Sequence, residues 1–313
     1  MSNEKDNALY EPKFQWSFLH PKYWPTWLGI GVALLLAFLP FRWRDALANR
    51  LSKYFASANN RAKRRAVINI DKCFPEKSEQ EKQTILEQCY ATAAQVLLGF
   101  AELTARSSKR LESRSKIIGE ENLFPLLEKG EKVIMLVPHC WAIDLPAMLF
   151  ASRGIKVVIM IRSQANPIGD WLMYVQRMKY GGRIYPRDAG VRPFIKSIRE
   201  GYLAYYLPDE DHGFDQSVFV PFLGTEKATL KGFGKLARLS GAKVVPMMPS
   251  YNAESGQFEI EIKPALENMP SGDEVADAVA MNQAIEGFIR EKPEQYMWIL
   301  NLLRSQPDGS QLY

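Results

Sequence analysis

The sequence has few of the residues and motifs on which several common classes of enzyme depend. Its three cysteines, Cys73, Cys89 and Cys140, are odd in number and scattered, so the pattern predicts no disulfide framework and favours a reducing compartment. With only three histidines, no zinc-ligand spacing can be written. No GxSxG elbow and no P-loop occur, which leaves a serine hydrolase and a nucleotide kinase without support.

The charge balance is basic: 40 Lys and Arg stand against 35 Asp and Glu, with a net charge of +5. This balance favours acidic partners, such as phospholipid head groups, phosphorylated substrates or an acidic carrier protein. Nucleic acid is not a predicted partner, because no RNA- or DNA-binding motif is present. At 313 residues and 47% apolar composition, the chain can bury one large α/β domain, with or without a helical arm.

The longest uncharged stretch lies near the N-terminus, after a polar and charge-balanced segment at residues 1–22. Residues 23–41 carry no charge, and these 19 positions are close to the roughly 20 that span a bilayer as a helix. Trp24 near one end and Trp43 at the other are typical of an interfacial aromatic belt. We therefore predict a membrane helix at residues 23–43, either spanning the bilayer or lying in its interface; the alternative is a buried core helix.

A strongly basic segment follows. Within residues 42–65, one acidic residue, Asp45, accompanies eight basic ones: Arg42, Arg44, Arg50, Lys53, Arg61, Lys63, Arg64 and Arg65. By the positive-inside rule this side of a membrane helix faces the cytoplasm, where the rest of the chain would then lie. An apolar face runs between these charges, formed by Leu47, Leu51, Tyr54 and Phe55. We predict a basic, amphipathic helical arm at residues 44–116 that lies on anionic lipid, the alternative being a solvated helix.

Clear helix signals and an alternation of helices with apolar strands cover the rest of the chain. Residues 78–106 begin with a capping box, Ser78 followed three positions later by Glu81, and continue as a long helix. Residues 273–290 form a further predicted helix. Predicted strands lie at 132–137, 156–161, 183–185, 202–207, 243–249 and 258–263. The pattern predicts an α/β domain at residues 117–313, with a mixed sheet flanked by helices.

The strand predicted at 132–137 leads directly to His139, and Asp144 follows five positions later in the first turn of a predicted helix. With His139 still in the turn, the two side chains can converge, so that Asp144 holds one ring nitrogen and the other takes a proton. This arrangement suits a general base. The alternative is a core histidine beside an acid that the helix dipole favours.

Two further polar groups are candidates for a site. The strand predicted at 202–207 ends in an acidic turn containing Asp209, Glu210 and Asp211, at the end of a strand where ligands bind in sheet proteins. A metal there is the less favoured alternative to solvated or Arg-paired carboxylates. Candidate anion-binding residues are Arg162, Arg177 and Arg187, of which Arg187 precedes a predicted helix whose free N–H groups suit phosphate or an oxyanion. The alternative for each arginine is ordinary surface charge.

The segment HCWAID, residues 139–144, matches the HxxxxD signature of membrane-associated glycerolipid-type acyltransferases. Together with LVPHCWAIDLPAM, YYLPDEDHG, PEQYMWIL and HPKYWPTWLG, it resembles the late acyltransferases of lipid A biosynthesis, particularly the second, myristoyl-type member. The resemblance runs from about His20 to Leu303. It implies transfer of a fatty acyl group from acyl carrier protein to a Kdo-bearing, already acylated lipid A precursor. The reaction would take place at the cytoplasmic face of the bacterial inner membrane, without metal or organic cofactor.

The resemblance also implies roles for individual residues. His139 would be the general base and Asp144 its orienting partner, while the attacking hydroxyl belongs to a 3-hydroxyacyl chain of the acceptor. Arg187, then Arg177 and Arg162, would bind the oxyanion or a glucosamine phosphate. Asp209 and Asp211 would shape the substrate site rather than perform chemistry. An apolar slot for the acyl chain would be lined by Trp141, Leu145, Met148 and Leu149, whose alternative is a place in the core.

Other functions stay open at this point. Within enzymes, these are a transferase of the earlier lauroyl step, an acyltransferase acting on lysophosphatidic acid, and a lipid thioesterase in which His139 activates water. Outside enzymes, the alternative is a membrane protein that holds anionic lipid without reacting.

Overall fold

The computed structural model describes residues 9–57 and 60–313, so residues 1–8 of the predicted polar segment lie outside it. The helices are α1 (Trp24–Leu36), α2 (Phe41–Ser57), α3 (Arg61–Cys73), α4 (Glu79–Ala105), α5 (Ser108–Ser113), α6 (Phe124–Glu128), α7 (Asp144–Ser152), α8 (Pro167–Arg177), α9 (Arg192–Arg199), α10 (Phe233–Ser240) and α11 (Glu274–Glu291). The strands are β1 (Ser115–Ile118), β2 (Lys132–Leu136), β3 (Val157–Ile161), β4 (Arg183–Pro186), β5 (Leu203–Tyr206), β6 (Ser217–Phe222), β7 (Thr225–Leu230), β8 (Ala242–Asn252) and β9 (Gln257–Ile262).

Seven of these strands form one mixed sheet in the order β1-β9-β8-β2-β5-β3-β4, and β6 and β7 form a separate antiparallel hairpin. Within the seven-stranded sheet, all neighbouring strands are parallel except β8 with β9. The predicted α/β fold with a mixed sheet flanked by helices is confirmed, and each of the six predicted strands is present. Strands β1, β6 and β7 are not among the predicted ones.

The sheet is covered on both faces, as its apolar strands require. Alternation along β2 sends Ile134 and Leu136 to one face, where α9, α10 and α11 pack. Val133, Met135 and Val137 point to the other face, covered by α7 and the second half of α4. Burial of one such side chain contributes about 1.5–3 kcal/mol, so the two clusters hold the strands firmly in register.

The parallel strands β2, β5, β3 and β4 end at a single edge of the sheet. Strand β5 follows β4 along the chain but lies between β2 and β3. As a result, the loops after strands far apart in sequence meet at this edge, which is where ligands bind in sheets of this kind.

The predicted membrane helix at residues 23–43 is wrong as a single helix. Helix α1 ends at Leu36, and a turn separates it from α2, which starts after Pro40. Proline has no N–H to donate to the carbonyl four positions earlier, and its ring clashes with that carbonyl. The 13 residues of α1 measure about 20 Å, against a hydrocarbon core of about 30 Å. Across residues 9–57 and 60–313, no helix combines the length and apolarity needed to cross a membrane.

The predicted basic arm is divided between α2 and α3, and part of its charge is buried rather than exposed to lipid. Arg44 is 1% exposed, and its Nη1 lies 2.7 Å from a carboxylate oxygen of Glu102 in α4. Asp45 accepts a 2.8 Å hydrogen bond from the Tyr251 hydroxyl. These contacts fix α2 to the α/β core. The Phe55 side chain lies outside the described part of the structure.

The helix predicted at 78–106 is confirmed as α4, and its capping box between Ser78 and Glu81 forms in both directions. The predicted boundary between the helical arm and the α/β domain, at residues 116–117, falls within β1. That division of the chain stays a prediction.

Candidate active site

The turn after β2 places His139 at the carboxyl edge of the sheet. Its backbone is held by a segment from the far end of the chain: the Met297 N–H donates to the His139 carbonyl at 2.9 Å, and the Trp141 N–H donates to the Gln295 carbonyl at 3.1 Å. The intervening Cys140 pairs with Tyr296 as an isolated antiparallel bridge. These bonds fix the position of the imidazole at the turn.

The partner of the imidazole is Asp209, which follows the neighbouring strand β5. Nδ1 of His139 lies 2.5 Å from Oδ1 of Asp209, and the backbone N–H of His139 donates to Oδ2 at 2.7 Å. Asp209 is fully buried, whereas the His139 side chain is 15% exposed. Because Nδ1 is engaged, Nε2 is the nitrogen available to a proton donor in the adjoining cleft.

The pair is electrostatically coupled. Burial alone would lower the pKa of His139, but the Asp209 carboxylate outweighs it and holds that pKa above its usual range. Burial alone would raise the pKa of Asp209, but the imidazole and the backbone N–H of His139 outweigh it and keep the pKa low. Asp209 therefore stays ionised and can stabilise an imidazolium formed when His139 takes a proton.

The expected contact between Asp144 and His139 is not the one in the structure. Asp144 begins α7, and its carboxylate instead accepts two bonds from Arg177 at the end of α8, Nε–Oδ1 at 2.7 Å and Nη2–Oδ2 at 3.1 Å. A bidentate guanidinium–carboxylate pair is strong and directional, so Asp144 positions Arg177. His139, Asp144 and Arg177 still line one cleft.

This cleft has a volume of about 400 Å³ and lies at the carboxyl edge of β2, β5, β3 and β4. Much of its lining is apolar and includes Phe100, Ile143, Ala147, Ile159, Met173 and Met178. Trp141 lines it as predicted. Leu145, Met148 and Leu149 do not: they are at most 1% exposed and belong to the core, because they lie on the side of α7 that faces the sheet.

All three predicted arginines line the cleft. Arg187 forms an ion pair with Glu210 at 2.5 Å, and Arg177 is held by Asp144. Arg162 is exposed and has no ion pair with any residue that the structure describes. Arg162 is therefore the cation best placed to take an anionic group of a ligand, ahead of Arg187, which the sequence analysis ranked first.

The acidic turn does not form a metal site. Its carboxylates diverge: Asp209 binds His139, Glu210 binds Arg187, and Asp211 accepts bonds from the Ser305 backbone and hydroxyl and from the Gly213 N–H. Within the described ranges, no group of His, Cys, Asp and Glu side chains has the geometry to hold a metal ion. Asp209 and Asp211 are buried and are not among the residues that line the cleft, and their part in shaping the substrate site stays a prediction.

A protein family and several known proteins match this chain over nearly its whole length. The family described as bacterial lipid A biosynthesis acyltransferase matches residues 11–305. The chain belongs to this family. It is 45% identical over 97% of its length to a lipid A biosynthesis acyltransferase of Haemophilus influenzae, of which 95% is covered. It is 40% identical over 99% of its length to the lipid A biosynthesis myristoyltransferase of Escherichia coli, of which 96% is covered. The lauroyltransferase of that organism is 32% identical over 95% of the chain, with 97% of its own length covered.

The resemblance predicted from sequence is therefore confirmed: the chain is a member of an acyltransferase family of lipid A biosynthesis. Three of the segments that carried the resemblance meet at the site of this family member. The HxxxxD segment supplies His139 and Asp144, the LPDED segment supplies Asp209 and Glu210, and the PEQYMW segment holds the His139 turn.

Proposed function

We propose that the chain transfers a fatty acyl group of the myristoyl type from acyl carrier protein to a Kdo-bearing, already acylated lipid A precursor. The acceptor is the hydroxyl of a 3-hydroxyacyl chain. The observation that carries this proposal is the His139–Asp209 pair, whose imidazole lines a largely apolar cleft. The pair suits removal of a hydroxyl proton, and the cleft suits a hydrocarbon chain beside the reacting carbonyl.

The proposed reaction requires this chain's own side chains alone. The acceptor hydroxyl gives its proton to Nε2 of His139, and its oxygen attacks the carbonyl carbon of the thioester. The tetrahedral oxyanion collapses, the carbon–sulfur bond breaks, and the departing thiolate takes the proton back from Nε2. Asp209 holds the Nδ1–H tautomer and stabilises the imidazolium between the two steps.

The three arginines that line the cleft support the anionic character of the proposed substrate. Arg162 carries no carboxylate partner among the described residues, so it is free to bind a phosphate, a Kdo carboxylate or the oxyanion. Arg177 and Arg187 are held by Asp144 and Glu210 and contribute positive potential at fixed places.

The apolar wall yields a test of the acyl slot. Ala147 on α7 lines the cleft, and Ala147→Phe is expected to fill part of it. Because a long chain then loses room while a short one still fits, kcat/KM for a 14-carbon donor should fall by about 10-fold or more relative to an 8-carbon donor. The measurement is a series of acyl donors of graded length. The control is Ala165→Phe, because Ala165 is exposed. Ala151 on α7 is buried in the core, so a phenylalanine there would disturb the fold. If the preference for donor length is unchanged, the acyl chain of the donor does not lie beside Ala147.

Two exposed apolar helix faces support contact with a membrane. We define the N-terminal apolar surface as Trp24, Leu28, Val32 and Leu35 on α1 with Trp43, Leu47, Leu51 and Tyr54 on α2. Both sets have the i, i+4, i+8, i+11 spacing of one helix face, and each is 36–74% exposed. Such a surface, flanked by exposed basic residues, suits helices lying in the interface of an anionic membrane, here the cytoplasmic face of the inner membrane.

Removing apolar contacts from this surface is expected to weaken membrane binding. Leu28 and Leu35 are 72% and 74% exposed, so Leu28→Asp with Leu35→Asp should leave the fold intact. Partitioning onto vesicles of phosphatidylglycerol and phosphatidylethanolamine should fall by at least about 10-fold, because two leucines no longer enter the bilayer. Val275→Asp, at an exposed apolar position near the start of α11 and outside this surface, serves as the control; Val275 is 49% exposed. Equal partitioning of all three proteins would contradict the assignment of this surface.

The substrate proposal is tested by offering the purified protein an acyl carrier protein donor with one acceptor at a time. A Kdo-linked lipid A precursor is expected to accept one chain, whereas lysophosphatidic acid is not. Transfer to lysophosphatidic acid alone would contradict the proposed acceptor. Binding of the precursor without transfer or hydrolysis would favour a protein that holds lipid without reacting.

A further inference from the structure

A lysine lies fully buried behind the His139–Asp209 pair. Lys227 belongs to β7 of the β6–β7 hairpin and is 0% exposed. A lysine is almost never buried unless its charge has a partner, because moving an ammonium group out of water is costly. The proposed reaction makes no use of this residue.

Lys227 lies close to the loop that carries Asp209. Its Nζ is 3.5 Å from the carbonyl oxygen of Pro208, the residue before Asp209, and 3.4 Å from the carbonyl oxygen of Ala228. The ring of Phe222 covers it, with 5.8 Å between Nζ and the ring centroid. No carboxylate of the described chain forms a direct ion pair with it. An effect of the ammonium group on Asp209 would therefore have to act through its electric field rather than through a direct contact.

The charged and titratable groups around this cluster are few. Asp209, Asp211 and the Cys73 thiol face Lys227. Burial lowers the pKa of Lys227 to about 8, which leaves it charged in the neutral range. Asp209, Glu210 and Arg187 face His139, and the buried Tyr296 phenol, whose pKa burial raises well above its usual range, lies beside Asp209 as a neutral group.

We propose that Lys227 is a positioning residue, a buried cation that keeps Asp209 ionised and sets the proton affinity of His139. The inference rests on the proposed function for its catalytic meaning. Lys227 touches no substrate: it acts through Asp209, whose carboxylate it helps to hold in the charged state.

The sign of the effect follows from net charge. When the His139–Asp209 pair gives up its proton, its net charge changes from zero to −1, and a nearby cation favours that change. Removing the cation therefore raises the apparent pKa of the pair, wherever the proton resides. Since the transferase needs neutral His139, the acid limb of the pH–rate profile should move to higher pH.

The experiment compares wild type with Lys227→Met and Lys227→Gln, which fit the buried space without the charge. Lys231→Met, at an exposed position just beyond β7, is the matched control, and Lys227→Arg tests rescue by a retained charge. Two readouts are taken from about pH 5.5 to about pH 9.5, a range that covers a raised His139 pKa and its expected upward shift: the pH–rate profile and the NMR titration of His139. The chain has three histidines, so ring signals from labelled histidine can be assigned with His139→Ala.

For the neutral variants, we expect the His139 titration and the acid limb to move up by about one pH unit, with Lys231→Met unchanged. If Lys227→Arg folds, its titration should match wild type. An unchanged His139 pKa in both neutral variants would overturn the inference, even if their rates fall, because a purely structural role lowers the rate without moving a titration. The NMR titration needs no substrate, so it tests Lys227 even if the proposed acceptor proves wrong.

Discussion

Replacing His139 with alanine should lower the rate of acyl transfer by about 10²- to 10⁴-fold. The variant lacks the nitrogen that takes the proton of the attacking hydroxyl, and loss of a positioned general base has effects of this size. Binding of both substrates should change little, because the apolar lining of the cleft and its three arginines, Arg162, Arg177 and Arg187, stay intact. The measurement is kcat with saturating donor and acceptor.

The control for this variant is His20→Ala, since His20 is exposed and lies outside the cleft. It should retain the wild-type rate. If His139→Ala also retains the rate, His139 is not the base, whatever the family of the chain.

Asp209→Asn should lower the rate by a comparable factor, about 10²- to 10⁴-fold, and should also change its pH dependence. The amide no longer stabilises an imidazolium and can hold His139 in the wrong tautomer. In wild type, the Asp209 carboxylate is what holds the pKa of His139 above its usual range, against burial. Without that carboxylate, burial lowers the pKa, so the residual activity should have its acid limb at lower pH than wild type.

Asp144→Asn provides the matched comparison, because Asp144 lies in the same cleft but binds Arg177. This variant should also be slower, through a displaced guanidinium, yet its acid limb should stay where it is in wild type. The opposite result, a moved limb in Asp144→Asn and an unmoved one in Asp209→Asn, would restore the pairing of Asp144 with His139 that the HxxxxD spacing suggested.

The structure explains why the HxxxxD spacing suggests Asp144, and not Asp209, as the partner of His139. Five positions between His139 and Asp144 describe only the local corner of the chain, and there the two side chains do share a cleft. The partner of the imidazole is Asp209, which lies in the loop after β5, 70 residues later in the chain than His139. The sequence marks both strand ends as polar, but it does not show that β5 enters the sheet between β2 and β3.

Helices and strands are predicted correctly from the sequence where their formation depends on one short segment. The Ser78–Glu81 capping box begins α4, and the buried strand before His139 forms as predicted. The single helix predicted at residues 23–43 is wrong because Pro40 lies between α1 and α2 and separates them. Lys227 escaped notice because a single lysine in an alternating strand carries no mark of burial: its position depends on how the hairpin packs.

The most direct test of the account is the mass and position of the acyl group on the product. Purified wild-type protein is incubated with myristoyl-loaded acyl carrier protein and a Kdo-linked lipid A precursor, and the lipid is analysed by tandem mass spectrometry. The account predicts one added acyl chain, ester-linked to the hydroxyl of a 3-hydroxyacyl chain, and its absence with His139→Ala. Free fatty acid with unmodified precursor, or a chain attached elsewhere than such a hydroxyl, would contradict it.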